Sequence, residues 1–162
     1  MFREMRRSGQ ALGKEECVEV LKGATHGVLA LYGDDDYPYT VPMSYVYANG
    51  RLYFHGAKSG HRFDSVVKDD KASFCVVAMD DVIAEKYTTL YKSVVVFGRI
   101  RVLTEKDEIV SSADILAKKY YPGDTPQGRR SEIDKEFGRL AMFEMTVEHM
   151  TGKQARELMS RS

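Results

Sequence analysis

The first half of the chain alternates hydrophobic and polar positions with the two-residue period of β-strands. This pattern predicts strands over residues 27–31, 38–47 and 51–55, separated by turns at residues 33–36 and 49–50. The second turn is Asn49-Gly50, the preferred pair for a type I′ hairpin, so its flanking strands should be antiparallel neighbours. A short helix over residues 13–24 precedes them, because apolar residues fall on one helical face and Gly23 ends the pattern.

The second half predicts three more strands and two helices. We expect helices over residues 60–68 and 109–120 and strands over 72–79, 93–103 and 139–147, with a bulge at Gly98. Residues 122–131 follow a Tyr-Pro-Gly stop and are predicted to be loop. Because about six strands occur without regular βαβ alternation, the pattern favours a small antiparallel barrel over a doubly wound fold.

Length and composition predict a single domain in the cytoplasm. The chain has 162 residues, with residues 1–12 expected as an N-terminal arm and 152–162 as a fraying C-terminal tail. Its 24 basic side chains balance 24 acidic ones, which disfavours nucleic acid and anionic membranes as partners. No apolar run approaches the roughly 20 residues of a membrane span, and no secretory segment follows the charged N-terminus. The two cysteines, Cys17 and Cys75, are interpreted as reduced thiols.

The strand predicted over residues 38–47 has two different faces. Large side chains such as Tyr39, Val41 and Met43 alternate with the smaller Thr40, Pro42 and Ser44. The face with small residues offers room for a flat molecule. Since Pro42 has no N–H to donate to a neighbouring strand, we expect an edge strand or a bulge here.

The segment from His55 to Arg62 has the composition of an anion-binding loop. Lys58 and Arg62 are cationic, Ser59 carries a hydroxyl, His61 can carry charge, and a helix is predicted to begin near Gly60. Helix N-termini and such side chains suit a phosphate dianion, although a solvated surface turn has the same composition. His55 lies at the strand end that leads into this loop. It either contacts the ligand that carries the phosphate or only caps the end of the strand.

Other candidate positions carry weaker signals. Residues 85–93 combine hydroxyls and aromatic rings, which suits a polar aromatic ligand or an ordinary loop between strands. Arg99 and Arg101 share a strand face, where they either bind a second anion or form surface charge. His26 and His149 are interpreted as packing or surface residues, and we assign no metal site because no ligand spacing is present.

Three segments together resemble one protein family. They are Asp-Tyr-Pro-Tyr-Thr-Val-Pro-Met-Ser-Tyr-Val-Tyr at residues 36–47, Leu-Tyr-Phe-His at 52–55 with Ser-Gly-His-Arg at 59–62, and Tyr-Lys-Ser-Val-Val-Val-Phe-Gly at 91–98. In this order and spacing they are similar to the flavin-binding split-barrel family related to pyridoxamine 5′-phosphate oxidase. The termini, at residues 1–7 and 151–153, resemble its nitroimidazole-resistance branch.

The resemblance implies a homodimer of six-stranded antiparallel split β-barrels, mainly β with a few helices, that holds two FMN molecules at the subunit interface. It implies that Lys58, Ser59, His61 and Arg62 hold the FMN phosphate, and that His55, Gly56 and Ala57 also belong to the cofactor-binding residues. The isoalloxazine would lie along Val41, Pro42, Met43, Ser44 and Tyr45. The partner chain would contribute Thr88, Thr89, Tyr91 and Ser93.

The resemblance also implies an FMN-dependent oxidoreductase that reduces small flat substrates such as nitroimidazoles, using an electron donor that the sequence does not identify. His55 would lie beside the flavin, contact the substrate and act as the catalytic residue. The chain contains no Trp and no C-terminal pattern for clamping pyridoxal phosphate, which counts against vitamin B6 oxidation. The alternatives are a non-enzymatic flavin-binding or redox-sensing protein and a haem-handling protein with His55 or His149 as an axial ligand.

Overall fold

The computed structural model describes residues 1–159, which form one antiparallel sheet and five helices. The helices are Lys14–Gly23 (α1), His61–Lys68 (α2), Lys106–Tyr120 (α3), Pro126–Glu136 (α4) and Arg156–Met159 (α5). The strands are Ala11–Leu12 (β1), His26–Tyr32 (β2), Pro38–Ser44 (β3), Val46–Ala48 (β4), Arg51–Ala57 (β5), Lys71–Ile83 (β6), Thr88–Val102 (β7) and Leu140–Gln154 (β8). None of the described helices combines the length and apolarity needed to cross a bilayer.

The sheet curls until its two edges meet. Its strand order is β3-β2-β6-β7-β8-β5-β4, with β1 added alongside β8, and every pairing is antiparallel. β3 and β4 therefore lie at opposite ends of the order, yet only Tyr45 separates them in the sequence. A single residue can join the two edges only if the sheet closes on itself, which gives the split-barrel architecture and confirms the predicted fold class.

The break at Tyr45 is stabilised by α3. The Tyr45 N–H donates to the Tyr120 hydroxyl at 3.0 Å, and its carbonyl accepts from Lys119 Nζ at 3.0 Å. The Lys119 ammonium also lies 4.1 Å from the centre of the Tyr45 ring. These contacts satisfy backbone groups that leave the strand ladder at the break, so α3 fixes the corner where the barrel closes.

Two hydrophobic clusters fill the molecule. The larger lies inside the barrel and includes fully buried Tyr45, Phe54 and Phe74, whose rings meet edge to face. The smaller lies between the outer face of the sheet and the helices α3 and α4, where Leu116 and Ile133 pack against Met142. α3 and α4 therefore form a second layer on the side of the sheet opposite the barrel core, whereas α1 and α2 contribute Leu21 and Val66 to the larger cluster.

Two predictions about local geometry are confirmed. Asn49 and Gly50 have φ of 49° and 77°, as a type I′ turn requires. The register between β7 and β8 shifts at Gly98, where Phe97 pairs with His149 and Gly98 pairs with Val147. A Cβ at Gly98 would come within 2.0 Å of the Thr146 carbonyl oxygen, so the close approach of β8 requires glycine there.

The structure corrects four predictions. The described residues contain eight strands rather than six, because the strand predicted over residues 38–47 divides at Tyr45 and the two-residue β1 adds an edge. Residues 88–93 belong to β7 and do not form a loop before it. The supposed loop over 122–131 contains most of α4, since Thr125 caps that helix. The tail predicted from residue 152 begins inside β8, and its residues 160–162 lie outside the described part of the chain.

Candidate active site

The exposed edge of β3, the end of β5 and the start of α2 converge on one corner of the barrel. β3 pairs only with β2 among the described strands, so the predicted edge position of Pro42 is confirmed. The side chains of Thr40, Pro42 and Ser44 are exposed, while Met43 is buried. The alternation of small exposed and large buried positions is therefore present as the sequence predicts.

Arg62 connects these three elements. Its Nη1 donates to Met43 Sδ at 3.0 Å, and its guanidinium lies 5.6 Å from the centre of the Phe143 ring. The group also lies over Gly56, where an added Cβ would come within 2.0 Å of Nη2. Nε is buried without a hydrogen-bond partner, and none of the ion pairs found within the described chain includes Arg62. The protein thus holds a cation in place with thioether, aromatic and glycine contacts and leaves its charge unneutralised.

The loop between β5 and α2 adds further donors. Lys58 and Ser59 are exposed, and Lys58 Nζ donates to the Phe137 carbonyl at 3.2 Å. Gly60 has φ of 97°, and no side chain caps α2, so the first N–H groups of the helix keep their donor capacity. His61 stacks on Tyr39 of β3 with ring centres 3.9 Å apart, and its Nε2 lies 3.8 Å from Asp34.

His55 lies next to this cationic corner. The residue reaches solvent from β5, but the surrounding protein still restricts its hydration. This partial burial, together with the charge of Arg62, lowers the pKa of His55 from its ordinary value of 6.5. The imidazole is therefore predominantly neutral at pH 7, in which form one ring nitrogen donates a hydrogen bond and the other accepts one.

A mainly apolar cavity of about 430 Å³ opens beside His55 and Ser44. Its other walls are one face of α3, including Leu116 and Ala117, and the facing side of α4, including Ile133. Two predicted site residues, Ser44 and His55, therefore lie at the mouth of this pocket. The sequence did not predict the pocket, because it did not predict α4, which forms one of its walls.

Thr88, Thr89 and Tyr91 line a different cavity within the single chain. That cavity, of about 820 Å³, lies between the start of β7 and the N-terminal arm and is lined also by Arg6 and Arg7. The Tyr91 hydroxyl is buried and has no hydrogen-bond partner within the described chain. Ser93 lies further along β7, opposite Lys153 of β8. A single chain therefore does not assemble all of the predicted flavin contacts at one corner.

The weaker sequence candidates have structural roles. Arg99 pairs with Asp70 and Glu148, and Arg101 pairs with Glu108 and Glu144, so their charges are neutralised at the surface. His26 is exposed, with Nδ1 3.3 Å from the Thr25 hydroxyl.

His149 and the two cysteines are at least partly buried. His149 stacks beneath Phe2 with ring centres 4.6 Å apart, so an axial-ligand role would require Phe2 to move. Both cysteines are free, as expected, and burial raises the pKa of each thiol. No group of three or more potential metal-ligating side chains occurs among residues 1–159.

The sequence interpretation missed α4 because that helix has little hydrophobic periodicity. Its buried positions are Arg129 and Ile133. A signal was nevertheless available, because Thr125 precedes Pro126, and a capping threonine followed by proline at the first helical position is a typical helix start. In the structure the Thr125 hydroxyl accepts from the Gly128 N–H at 3.0 Å.

The fold is a small antiparallel split barrel, and β3, β5 and α2 meet at a cationic corner that contains Arg62. The family model for pyridoxamine 5′-phosphate oxidase matches residues 13–154, and the chain belongs to that family, as the resemblance predicts. No curated protein matches the chain significantly.

Solved structures share the fold at low sequence identity. A putative 5-nitroimidazole antibiotic resistance protein from Bacteroides thetaiotaomicron is 17% identical with a TM-score of 0.75, over 89% of this chain and 86% of that one. A FAD-binding protein from Mesorhizobium loti is 23% identical with a TM-score of 0.64, over 90% and 97%. A FAD and heme binding protein from Mycobacterium smegmatis is 17% identical with a TM-score of 0.72, over 91% and 73%. At these identities the likeness concerns the fold.

Proposed function

We propose that this chain is an FMN-binding oxidoreductase that works as a homodimer and reduces small flat substrates such as nitroimidazoles. The proposal rests mainly on Arg62, whose partly buried guanidinium lies at the end of β5 and has no carboxylate partner within residues 1–159. Burying a cation without a counter-ion is unfavourable, so its retention points to an anionic ligand that completes the site. The family membership and the flavin-binding proteins of the same fold support a flavin phosphate as that anion.

The residues at this corner fit the phosphate end of FMN. Arg62 Nε lacks a partner, the first N–H groups of α2 are uncapped, and Lys58 and Ser59 border the same loop. A phosphate dianion would receive charge-assisted hydrogen bonds from the guanidinium and favourable alignment with the helix dipole. FMN ends in a phosphate monoester, which would present a dianion to these donors.

The exposed face of β3 supports placement of the flavin ring. Thr40, Pro42 and Ser44 present small side chains there, so a planar ring system can approach the strand closely. Met43 contacts Arg62 from the other face of the same strand, which joins the proposed ring site to the proposed phosphate site. Bound FMN would supply the redox chemistry, while these residues would supply its placement.

The unpartnered Tyr91 hydroxyl supports contribution from a second subunit. It is buried beside Thr88 and Thr89 in the cavity under the N-terminal arm, where nothing in the described chain accepts or donates to it. In the proposed homodimer this segment contacts the FMN held by the other chain. Sedimentation equilibrium should give twice the chain mass of 18.4 kDa, and a monomer that still binds FMN tightly would contradict this part of the proposal.

His55 is the residue proposed to face the substrate. Because its pKa is lowered, the neutral imidazole orients a polar substrate group through one hydrogen bond at pH 7 and carries a proton more readily at lower pH. His55→Ala should leave FMN binding within about twofold of the wild type and lower turnover by about a hundredfold, as expected for a positioned acid–base group. Unchanged turnover would remove His55 from the mechanism.

The proposal is tested by reducing the holoprotein without oxygen and mixing it with a nitroimidazole. Reoxidation faster than that of free reduced FMN at equal concentration is expected for a reductase. Equal or slower reoxidation, with FMN tightly bound, would identify a flavin-binding or redox-sensing protein instead. A Soret band in the purified protein would favour haem handling, a possibility raised by the FAD and heme binding protein of the same fold.

A further inference from the structure

We propose that the cavity between α3, α4 and β5 is the substrate pocket, and that it admits flat neutral or cationic molecules and discriminates against anions. The inference rests on the proposed function, because it takes His55 as the group that meets the substrate. It adds the location of the pocket and the charge class of its ligand. The volume of about 430 Å³ suits a molecule of one or two small rings.

Two helical faces build the pocket. Ala113, Leu116, Ala117 and Tyr120 recur at the spacing of one face of α3, and Arg129, Glu132, Ile133 and Glu136 recur in the same way on α4. The small Ala113 and Ala117 leave the space that larger side chains would fill. The cavity thus results from the residue types at these positions on two helices that otherwise pack closely.

The pocket opens toward the proposed flavin site. Ser44 belongs to the exposed small-residue face of β3, and His55 lies beside the cationic corner, and both line the cavity. A ligand in the pocket therefore contacts residues from both strands that border the proposed flavin position.

The charges around the pocket are predominantly negative. The lining residues include three carboxylates, those of Asp124, Glu132 and Glu136, and one guanidinium, that of Arg129. Arg129 is already engaged, since Nε donates to Asp114 at 2.7 Å and Nη1 donates to the Asp124 carbonyl at 2.9 Å. An anionic ligand would find no unengaged cation among these lining residues and would meet three carboxylates.

Counter-ions at the surface weaken this negative field without reversing it. Glu132 pairs with Lys135 at 3.0 Å, and Glu136 pairs with Arg139 at 2.5 Å. Lys135 and Glu132 are 67% and 66% exposed, so water screens both charges of that pair equally. Arg139 is 80% exposed and Glu136 37%, so in the second pair screening reduces the contribution of the cation more than that of the carboxylate. At the opposite wall His55 is neutral at pH 7, and the charge of the Arg62 guanidinium beside it would be neutralised by the FMN phosphate, so charge selection is measured on FMN-loaded protein.

The location is tested by filling the pocket and measuring equilibrium binding of para-nitrobenzamide by calorimetry. Ala117→Phe should weaken binding at least about tenfold, because the ring occupies the space the ligand needs. Ile115→Phe, on the exposed side of the same helix, is the matched control and should bind like the wild type. Ala117→Leu repeats the test with a smaller change. Unaltered affinity in both folded Ala117 variants would overturn the location.

The charge class is tested with the isosteric anion para-nitrobenzoate and the cation para-nitrobenzylamine. The wild type should bind the anion at least about tenfold more weakly than the neutral amide. Glu132→Gln combined with Glu136→Gln should narrow that ratio about threefold or more, whereas Asp134→Asn, on the other side of α4, should not. Equal affinity for anion and amide in the wild type, or an unchanged ratio in the double variant, would overturn the charge selection.

These measurements separate the inference from the proposed function. FMN content is measured on the same samples by absorbance after heat release. If the protein binds FMN and reduces a nitroimidazole, but Ala117→Phe leaves its affinity for para-nitrobenzamide unchanged, the proposed function stands and the proposed pocket is wrong. A protein that binds no FMN loses the proposed function, and the Ala117 variants then test the location of the pocket independently.

Discussion

Gly56→Ala should lower FMN affinity strongly while changing the fold little. The added Cβ would lie 2.0 Å from Nη2 and 2.8 Å from Cζ of Arg62, closer than any van der Waals contact. The atoms that must move are the end of a flexible side chain, so the strand itself can stay in place. Arg62 would leave Met43 and the ring of Phe143, which hold it in position.

The expected magnitude follows from the interactions that Arg62 makes. Loss of its contact with the Phe143 ring should lower the free energy of unfolding by about 1 kcal/mol. A charge-assisted hydrogen bond to a phosphate contributes about 1.5–3 kcal/mol. Because 1.4 kcal/mol corresponds to a factor of ten in Kd, FMN affinity should fall about ten- to a hundredfold.

The assay is fluorescence titration of the FMN-free protein with FMN. Gly138→Ala is the matched control, since a Cβ there meets nothing within 4 Å. Arg62→Ala should weaken FMN binding to the same extent as Gly56→Ala, and the double variant should be no weaker than either one. Additive losses in the double variant would refute the reasoning, because Gly56 would then affect FMN by a route independent of Arg62.

Three further predictions follow from the fold and from His55. Gly98→Ala should lower the free energy of unfolding by roughly 3 kcal/mol in urea titration, because the backbone carbonyl of Thr146 lies 2.0 Å from the new Cβ and cannot move aside alone. Tyr120→Phe should lower it by about 1–3 kcal/mol, since the Tyr45 N–H loses its acceptor. In FMN-free protein, NMR should show that the His55 ring titrates below pH 6.5. Arg62→Gln, which removes the nearby positive charge, should raise the midpoint of that titration. Because the folded-state pKa is lowered, the stability that His55 contributes is present above pH 6.5 and is lost as the pH falls through that pKa.

Each of these predictions has a control or a contrary outcome. Tyr121→Phe removes a neighbouring, exposed hydroxyl and should leave the free energy of unfolding within about 0.5 kcal/mol of the wild type. If Tyr120→Phe and Tyr121→Phe lowered the free energy of unfolding equally, the hydrogen bond from Tyr45 to α3 would not stabilise the barrel corner as proposed. A Gly98→Ala variant as stable as the wild type would mean that β7 and β8 separate easily. A His55 midpoint at or above 6.5 would contradict the effect of burial and Arg62.

The sequence predicted much of the fold because strand and turn signals are local. The Asn49-Gly50 hairpin follows from alternation and turn chemistry, and it occurs as expected between β4 and β5. The division at Tyr45 was not predictable, because the residue continues the alternation of its strand. What ends the pairing there is contact with Lys119 and Tyr120, which are distant in sequence.

The candidate site also has one part that local sequence predicts and another that depends on residues distant in the sequence. The anion-binding composition of residues 58–62 is local and could be identified from residue types, whereas the unneutralised state of Arg62 depends on Met43 and Phe143 in other strands. The pocket beside His55 depends on α4, whose polar sequence hides its periodicity. Which residues of β7 approach the flavin depends on a second chain and stays a prediction.

The measurement that tests the central claim most directly is a visible absorption spectrum of the freshly purified protein, followed by mass spectrometry of the molecule that heat releases. The account predicts flavin bands, FMN as the released molecule and no Soret band. A colourless protein that also fails to bind added FMN would contradict the assignment of a phosphate site to residues 58–62. Released FAD would contradict the choice of FMN and leave the corner at Arg62 as the site of a larger flavin.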